Sequence, residues 1–322
     1  ADDFIAKPFK FEVVLAKIQA IIRRTYDFGR DLNTLNCRGV TLNLGDGVVS
    51  FGEEKLELSR NEYKILEILM KKKGNVVNLL GFFSPLVDDC ELYDLLHQAG
   101  VKTIHEISRC KDYEEYRTMS QANFNLVLHP EARFAAEDFH NRLKIPFIEL
   151  RRLYQMDKIE NQYRALGQVL GVAFDQEQYK DEASRAVEQF RKVCPDASFA
   201  VGECMNGDPF ELALALVRYG FQVPEIYGTI TAENFVYIRH LAKLSPGTKI
   251  FSNMEPTMLY YDPAESGVNL TIGKDAGYYH PDQPNVVWNQ DRQPYGYAGV
   301  RRLFEALLET AAEQDKRKGE RA

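Results

Sequence analysis

Three side chains in this 322-residue chain combine reactive chemistry with a position that favours its use: His129, Cys204 and Arg292. His129 ends the apolar run 124–128 and precedes Pro130. It therefore stands where a strand gives way to a helix, the place at which open α/β sheets present ligand-facing groups. Its imidazole can ligate a metal or pass a proton near neutral pH. No second ligand recurs at a fixed spacing from it, so a plain structural histidine is the competing reading.

Cys204 lies in Gly202-Glu203-Cys204-Met205-Asn206-Gly207, between an expected strand and an expected helix. Backbone N–H groups in such a loop can stabilise a thiolate or receive an anion. A small thiol packed in the core is the alternative. Gly202 and Gly207 do not form GxGxxG, so no NAD-type dinucleotide fingerprint is present. Arg292 closes Trp288-Asn289-Gln290-Asp291-Arg292, which with Tyr278-Tyr279-His280-Pro281 supplies polar and aromatic loop residues. Such loops can line a pocket between domains for a flat or anionic compound, or simply pack as local turns. The three residues are candidates for cofactor binding. Spacing alone assigns no catalytic residue and no metal-ligand set.

The elements that must position them alternate from residue 76 onward. Strands are expected at 77–82, 101–107, 124–128 and 145–150, with helices at 89–98, 112–119, 131–143 and 156–170. A long amphipathic helix at 176–193 follows. Beyond it come strands at 198–201, 222–227, 249–252 and 268–272, with helices at 208–219, 232–244 and 297–311. Strands separated by helices argue for parallel sheets covered on both faces. The expected fold is two doubly wound α/β domains, joined near residues 171–195. Asp208 can cap the helix it opens, Pro209 fits the first turn, Glu211 can complete a capping box and Gly220 can end it.

Length allows about two domains of ordinary size. The 45% hydrophobic and 27% charged content is that of a globular protein, and no apolar run approaches the roughly 20 residues that span a bilayer. The opening Ala1-Asp2-Asp3 carries no secretory pattern, so a cytoplasmic location is expected. A net charge of −7 opposes broad attraction to nucleic acid and favours small-molecule or protein partners. Five scattered cysteines without a CxxC pair match neither a disulfide scaffold nor a structural zinc site. Residues 312–322 mix charge signs and are expected to form a polar, solvated tail.

The first 75 residues have a different character. Lys7-Pro8-Phe9 suits a turn ahead of an amphipathic helix that carries Val14, Ile18, Ile21 and Ile22, with Arg23-Arg24 near its end. Short alternating runs at 40–44 and 48–51, around Gly45-Asp46-Gly47, signal small antiparallel strands. Ser59 and Glu62 then form a capping box for a helix ending near Gly74. Residues 1–30 resemble the end of a response-regulator receiver, with Lys7 at its conserved-type lysine position. Residues 31–75 resemble the front of the winged-helix effector domain beside such receivers, above all in Leu58-Ser59-Arg60-Asn61-Glu62-Tyr63. The acidic phosphorylation pocket has no counterpart here, and DNA binding by so truncated a module, Lys71-Lys72-Lys73 included, is not expected.

Residues 76–311 resemble the second and third α/β domains of nitrogenase component-one proteins. The resemblance rests on four segments in order: Val77-Asn78-Leu79-Leu80-Gly81, residues 124–129, residues 145–150, and Pro294-Tyr295-Gly296-Tyr297-Ala298-Gly299. It implies a middle domain over 76–175 and a C-terminal domain over 176–311, both Rossmann-like. It also implies an oxidoreductase or metallocluster-assembly scaffold, with a metallocluster at a domain or subunit interface. A homologous component-one subunit, an ATP-dependent iron–sulfur reductase and a small-molecule substrate are the implied partners. His129 matches the position of a cluster-ligating cysteine in the molybdenum enzymes, and Val287 lies near that of a histidine ligand, which argues against molybdenum-nitrogenase activity. The alternative expectation is a response-regulator-derived signalling or DNA-binding protein.

Overall fold

A computed structural model describes residues 34–37, 40–43, 49–51, 54–56, 75–252, 254–263 and 266–319. Lys7, the helix expected over Val14 to Arg24, the Ser59/Glu62 capping box and Lys71-Lys72-Lys73 fall outside the described residues. The chain divides into two compact units, Ala1–Gly74 and Asn75–Ala322.

In the first unit, β1 (Thr34–Cys37), β2 (Val40–Asn43), β3 (Val49–Phe51) and β4 (Glu54–Leu56) form an antiparallel meander in chain order. Leu42 stands opposite Val49 in the register, and both are buried. That pairing follows from the two-residue period of the alternating runs, which sends both side chains to one face. The expected pair is β2 and β3, and β1 and β4 extend it on either side.

The second unit holds two parallel sheets. In the first, β5 (Asn75–Leu80), β6 (Val101–Glu106), β7 (Phe124–Val127) and β8 (Phe147–Glu149) run in the order β6-β5-β7-β8. Their crossovers are α1 (Glu91–Gln98), α2 (Tyr113–Thr118) and α3 (Arg133–Leu143). Two helices, α4 (Met156–Leu170) and α5 (Glu177–Val193), lead onward. The second sheet takes β9 (Ser198–Val201), β10 (Gln222–Tyr227), β11 (Lys249–Phe251), β12 (Leu270–Ile272) and β13 (Asn285–Val286) in the order β11-β10-β9-β12-β13. Around it stand α6 (Pro209–Arg218), α7 (Phe235–Leu244), α8 (Lys274–Tyr279) and α9 (Gly296–Gly319). Both sheets have the doubly wound, Rossmann-like arrangement expected from the alternation of apolar runs and helical periods.

One apolar core runs through both sheets. Val77, Leu79 and Leu126 of the first join Phe199, Val201 and Ile272 of the second, with Leu303, Phe304 and Leu307 of α9. Phe190, Phe199, Phe221 and Phe304 meet ring to ring at centroid separations of 5.5–6.0 Å. Such aromatic contacts add to the area they bury.

Two helix starts draw in residues distant in sequence. Asp208 caps α6 by accepting from the backbone N–H of Phe210 and Glu211, with Pro209 in the first turn. The Glu211 carboxylate does not return to Asp208 as a capping box requires. It accepts instead from the N–H groups of Tyr154 and Gln155 and from the Gln155 side chain. The start of α9 is held from a distance: the buried Glu91 carboxylate of α1 accepts from Tyr297 N at 2.6 Å, Ala298 N at 3.0 Å and the Tyr163 hydroxyl at 2.7 Å. A carboxylate facing free N–H groups at a helix N-terminus is favoured by hydrogen bonding and the helix dipole together. At its other end α9 continues past the expected Ala311 to Gly319. The short elements α8 and β13 were not anticipated, because two to six residues carry too little period to register.

Candidate functional site

Strand order locates the site. In the first sheet the chain leaves β5 for β6 on one side and then returns to β7 on the other, so the crevice at the carboxyl ends of β5 and β7 is a switch point. Gly81 follows β5 at φ +134, and a Cβ there would meet His129 N at 2.6 Å. The glycine is what lets the two loops close on each other. The second sheet reverses between β9 and β12, where Gly273, at φ +95, lies against the backbone of Gly202 and Glu203. Residues after β7 and after β9 border one cavity of about 740 Å³.

His129 and Cys204, singled out from sequence, both line that cavity. The His129 imidazole is half-exposed, takes an N–H from Glu131 at 3.4 Å and lies 5.9 Å from the Phe82 ring. Burial lowers its pKa below the usual histidine value, Glu131 opposes that, and the Arg152 charge adds to the lowering. The ring is therefore neutral at pH 7, where it can accept a proton. An NMR titration of the His129 ring should give a midpoint below the ordinary 6.5, and Arg152→Gln should move it upward. A midpoint above 6.5 would contradict this electrostatic picture.

Cys204 is not the thiolate its loop allowed for. Burial pushes its pKa up to about 12, and its Sγ lies 3.5 Å from the Gly207 carbonyl. At neutral pH it is a thiol donating to backbone.

Arg292 does not border the cavity. It pairs with Asp88 at 2.6 Å, and Arg109 holds the same carboxylate at 2.8 Å. Arg301 and Arg302, at the start of α9, both pair with Asp89. The segment 278–281 also serves packing: Tyr279 stacks on Tyr227 at 4.8 Å, and the buried His280 pairs with Glu225 at 2.8 Å, where Tyr261 also donates to the carboxylate. Trp288 is buried at φ +51, an unusual conformation for a bulky residue. Its Nε1 donates to Tyr154 Oη at 2.6 Å, and that hydroxyl donates to the Asn206 carbonyl. This relay ties the cavity loop 202–207 to the core.

Sequence reading passed over Arg152 and Glu211, which also border the cavity. Arg152 donates to the Met205 carbonyl at 3.0 Å and to Gln293 Oε1 at 2.6 Å, and its guanidinium lies 4.3 Å from the Phe82 ring centroid. Glu211 is buried, and burial pushes its carboxyl up to about 7 despite four hydrogen bonds. Its i+3 spacing from Asp208 pointed to a cap, while its contacts with residues 154 and 155 left no mark in local sequence.

A family model described as nitrogenase component 1 type oxidoreductase matches residues 63–312. The chain belongs to this family. The solved structure of nitrogenase Cp1 at pH 6.5 superposes on 76% of the chain with a TM-score of 0.57 and 18% identity, a likeness of fold. The chain covers 61% of that nitrogenase chain. Two further relatives are regulators: the response regulator protein GraR of Staphylococcus haemolyticus, 38% identical over 90 residues, and the CpxR-homologous transcriptional regulator of Haemophilus influenzae, 40% identical over 81 residues. These matches take up 28% and 24% of the chain and 40% and 36% of the relatives. A partial response-regulator-like region thus precedes a component-one region.

Among the described residues, the donor set of this component-one cavity does not by itself fit a cluster. Iron–sulfur clusters take about four thiolate or imidazole ligands. Here the soft donors bordering the cavity are His129 and Cys204, two rather than four. Among the described residues no three His, Cys, Asp or Glu side chains converge as metal ligands, and no helix is long and apolar enough to cross a membrane.

Proposed function

We propose that this chain is a component-one-type oxidoreductase subunit whose cavity holds a small-molecule substrate. A second component-one subunit and an ATP-dependent iron–sulfur reductase supply the electrons. The observation that carries this reading is the single cavity bordered by the switch-point loops after β7 and β9, the place where doubly wound sheets bind ligands. Residues 76–175 act as the middle domain, 176–311 as the C-terminal domain and 312–322 as a tail. Residues 1–30 and 31–75 derive from a receiver and its effector domain.

A substrate that takes up electrons also needs protons. Neutral His129 and Glu211, with its carboxyl near 7, are the cavity groups suited to exchange them at physiological pH. Cys204 serves to hold its loop. A cluster in this assembly would take its remaining ligands from the second subunit, since the described residues bordering the cavity offer only His129 and Cys204 as soft donors. The protein works in the cytoplasm.

The test is anaerobic co-expression with a component-one subunit and an iron–sulfur reductase, followed by iron analysis and measurement of reductase-dependent electron uptake. The expected result is a stable complex that accepts electrons only when this chain is present. A complex without electron uptake, or no complex, overturns the proposal.

A further inference from the structure

We infer that Arg152 anchors the carboxylate of a small organic ligand in the cavity between the two sheets. Arg152 is half-buried, and a guanidinium partly withdrawn from water ordinarily meets a carboxylate, because the ion pair offsets part of the desolvation. Arg152 has only neutral partners: the Met205 carbonyl, the Gln293 amide oxygen and the Phe82 ring. Its Nε is buried with no hydrogen-bond partner, and no described carboxylate lies within ion-pair distance of it. Two of its five N–H donors are used, so a fork of donors remains.

The contacts hold that fork still. Gln293 Oε1 also accepts from Asn206 Nδ2 at 2.9 Å, which fixes the amide, and the ring of Phe82 fixes the guanidinium plane. A planar, preorganised fork matches a carboxylate in two parallel hydrogen bonds. The cavity is also bordered by Glu131, Glu203, Asp208 and Glu233. A doubly charged phosphate meets more repulsion from these than a singly charged carboxylate does. The ligand is thus a monocarboxylate, or presents one carboxylate to this end of the cavity, and benzoate is a simple probe of that kind.

This inference rests on the cavity being the working site, and the test separates the two. The whole chain is titrated with benzoate at constant ionic strength, with chloride and inorganic phosphate in parallel. Trp288, the sole tryptophan and linked through Tyr154 to the 202–207 loop, reports by fluorescence. A saturable benzoate response is expected, weakened about ten-fold or more in Arg152→Gln and about three-fold in Arg152→Lys, which keeps the charge but loses the fork. If the glutamine variant does not fold, the lysine variant decides. Unchanged affinity in the variants, no saturable response beyond chloride, or an equal response to phosphate overturns the inference. Electron uptake with benzoate binding indifferent to Arg152 sinks the carboxylate anchor alone. Arg152-dependent binding without electron uptake supports the anchor and sinks the oxidoreductase reading alone.

Discussion

Gly296→Ala should destabilise the second unit by about 4 kcal/mol or more, a loss reserved for steric conflict with a fixed interior. Gly296 has φ +60, and an added Cβ would overlap Glu91 Oε1 and the Tyr163 hydroxyl. Neither atom can retreat cheaply. The Glu91 carboxylate is held by two backbone N–H groups at the start of α9 and by Tyr163, so moving it strands three buried groups. Gly220→Ala is the matched control. Gly220 also has positive φ, at +87, but nothing lies within 4 Å of an added Cβ, so only the backbone cost of about 1–2 kcal/mol is expected. Urea unfolding followed by Trp288 fluorescence measures both. Equal losses in the two variants would mean that Glu91 does not hold α9 as described.

The second large effect is on pH dependence. Burial raises the Glu211 carboxyl from 4.5 to about 7 in the folded chain. Below pH 4.5 the group is protonated folded and unfolded, and its contribution is fully present. As pH rises from 4.5 to 7 the unfolded chain ionises first, and that contribution is lost, to the extent of about 3 kcal/mol. Above 7 the loss is complete and the curve is flat again. Asp208, whose own pKa is raised by burial, faces Glu211 and adds in the same direction. Glu211→Gln keeps an acceptor for Tyr154 and Gln155 but cannot ionise. Its stability should change between pH 5 and pH 8 by about 2.5 kcal/mol less than that of the parent. Parallel profiles would show that Glu211 titrates normally.

The fold was largely legible because its elements repeat a strong pattern. The strands at 198–201 and 222–227 and the helix at 156–170 emerge with the bounds their periodicity predicts. Apolar runs of four to six residues between helices leave a buried parallel strand as their main solution. The placement of the candidate residues was legible in part. His129 and Cys204, read from their places after strands, border the cavity. Arg292 pairs with Asp88 instead, since an arginine among aromatic residues reads the same whether it faces a pocket or an aspartate.

What sequence could not disclose was contact between distant segments. Arg152 meets Gln293 and Tyr154 meets Trp288, and no local spacing encodes either encounter. Glu211 shows the same limit from the other side. Its spacing from Asp208 satisfied a capping box, yet packing against residues 154 and 155 offered the carboxylate better donors. Local propensity yielded to tertiary context at the very residue that borders the cavity.

The most direct test of the cavity as the working site is an anaerobic crystal structure of the chain purified with a component-one partner. Non-protein density bordered by His129, Arg152 and Glu211 is the predicted result. A cavity closed by the chain's own side chains, with the bound group lodged elsewhere, would contradict it.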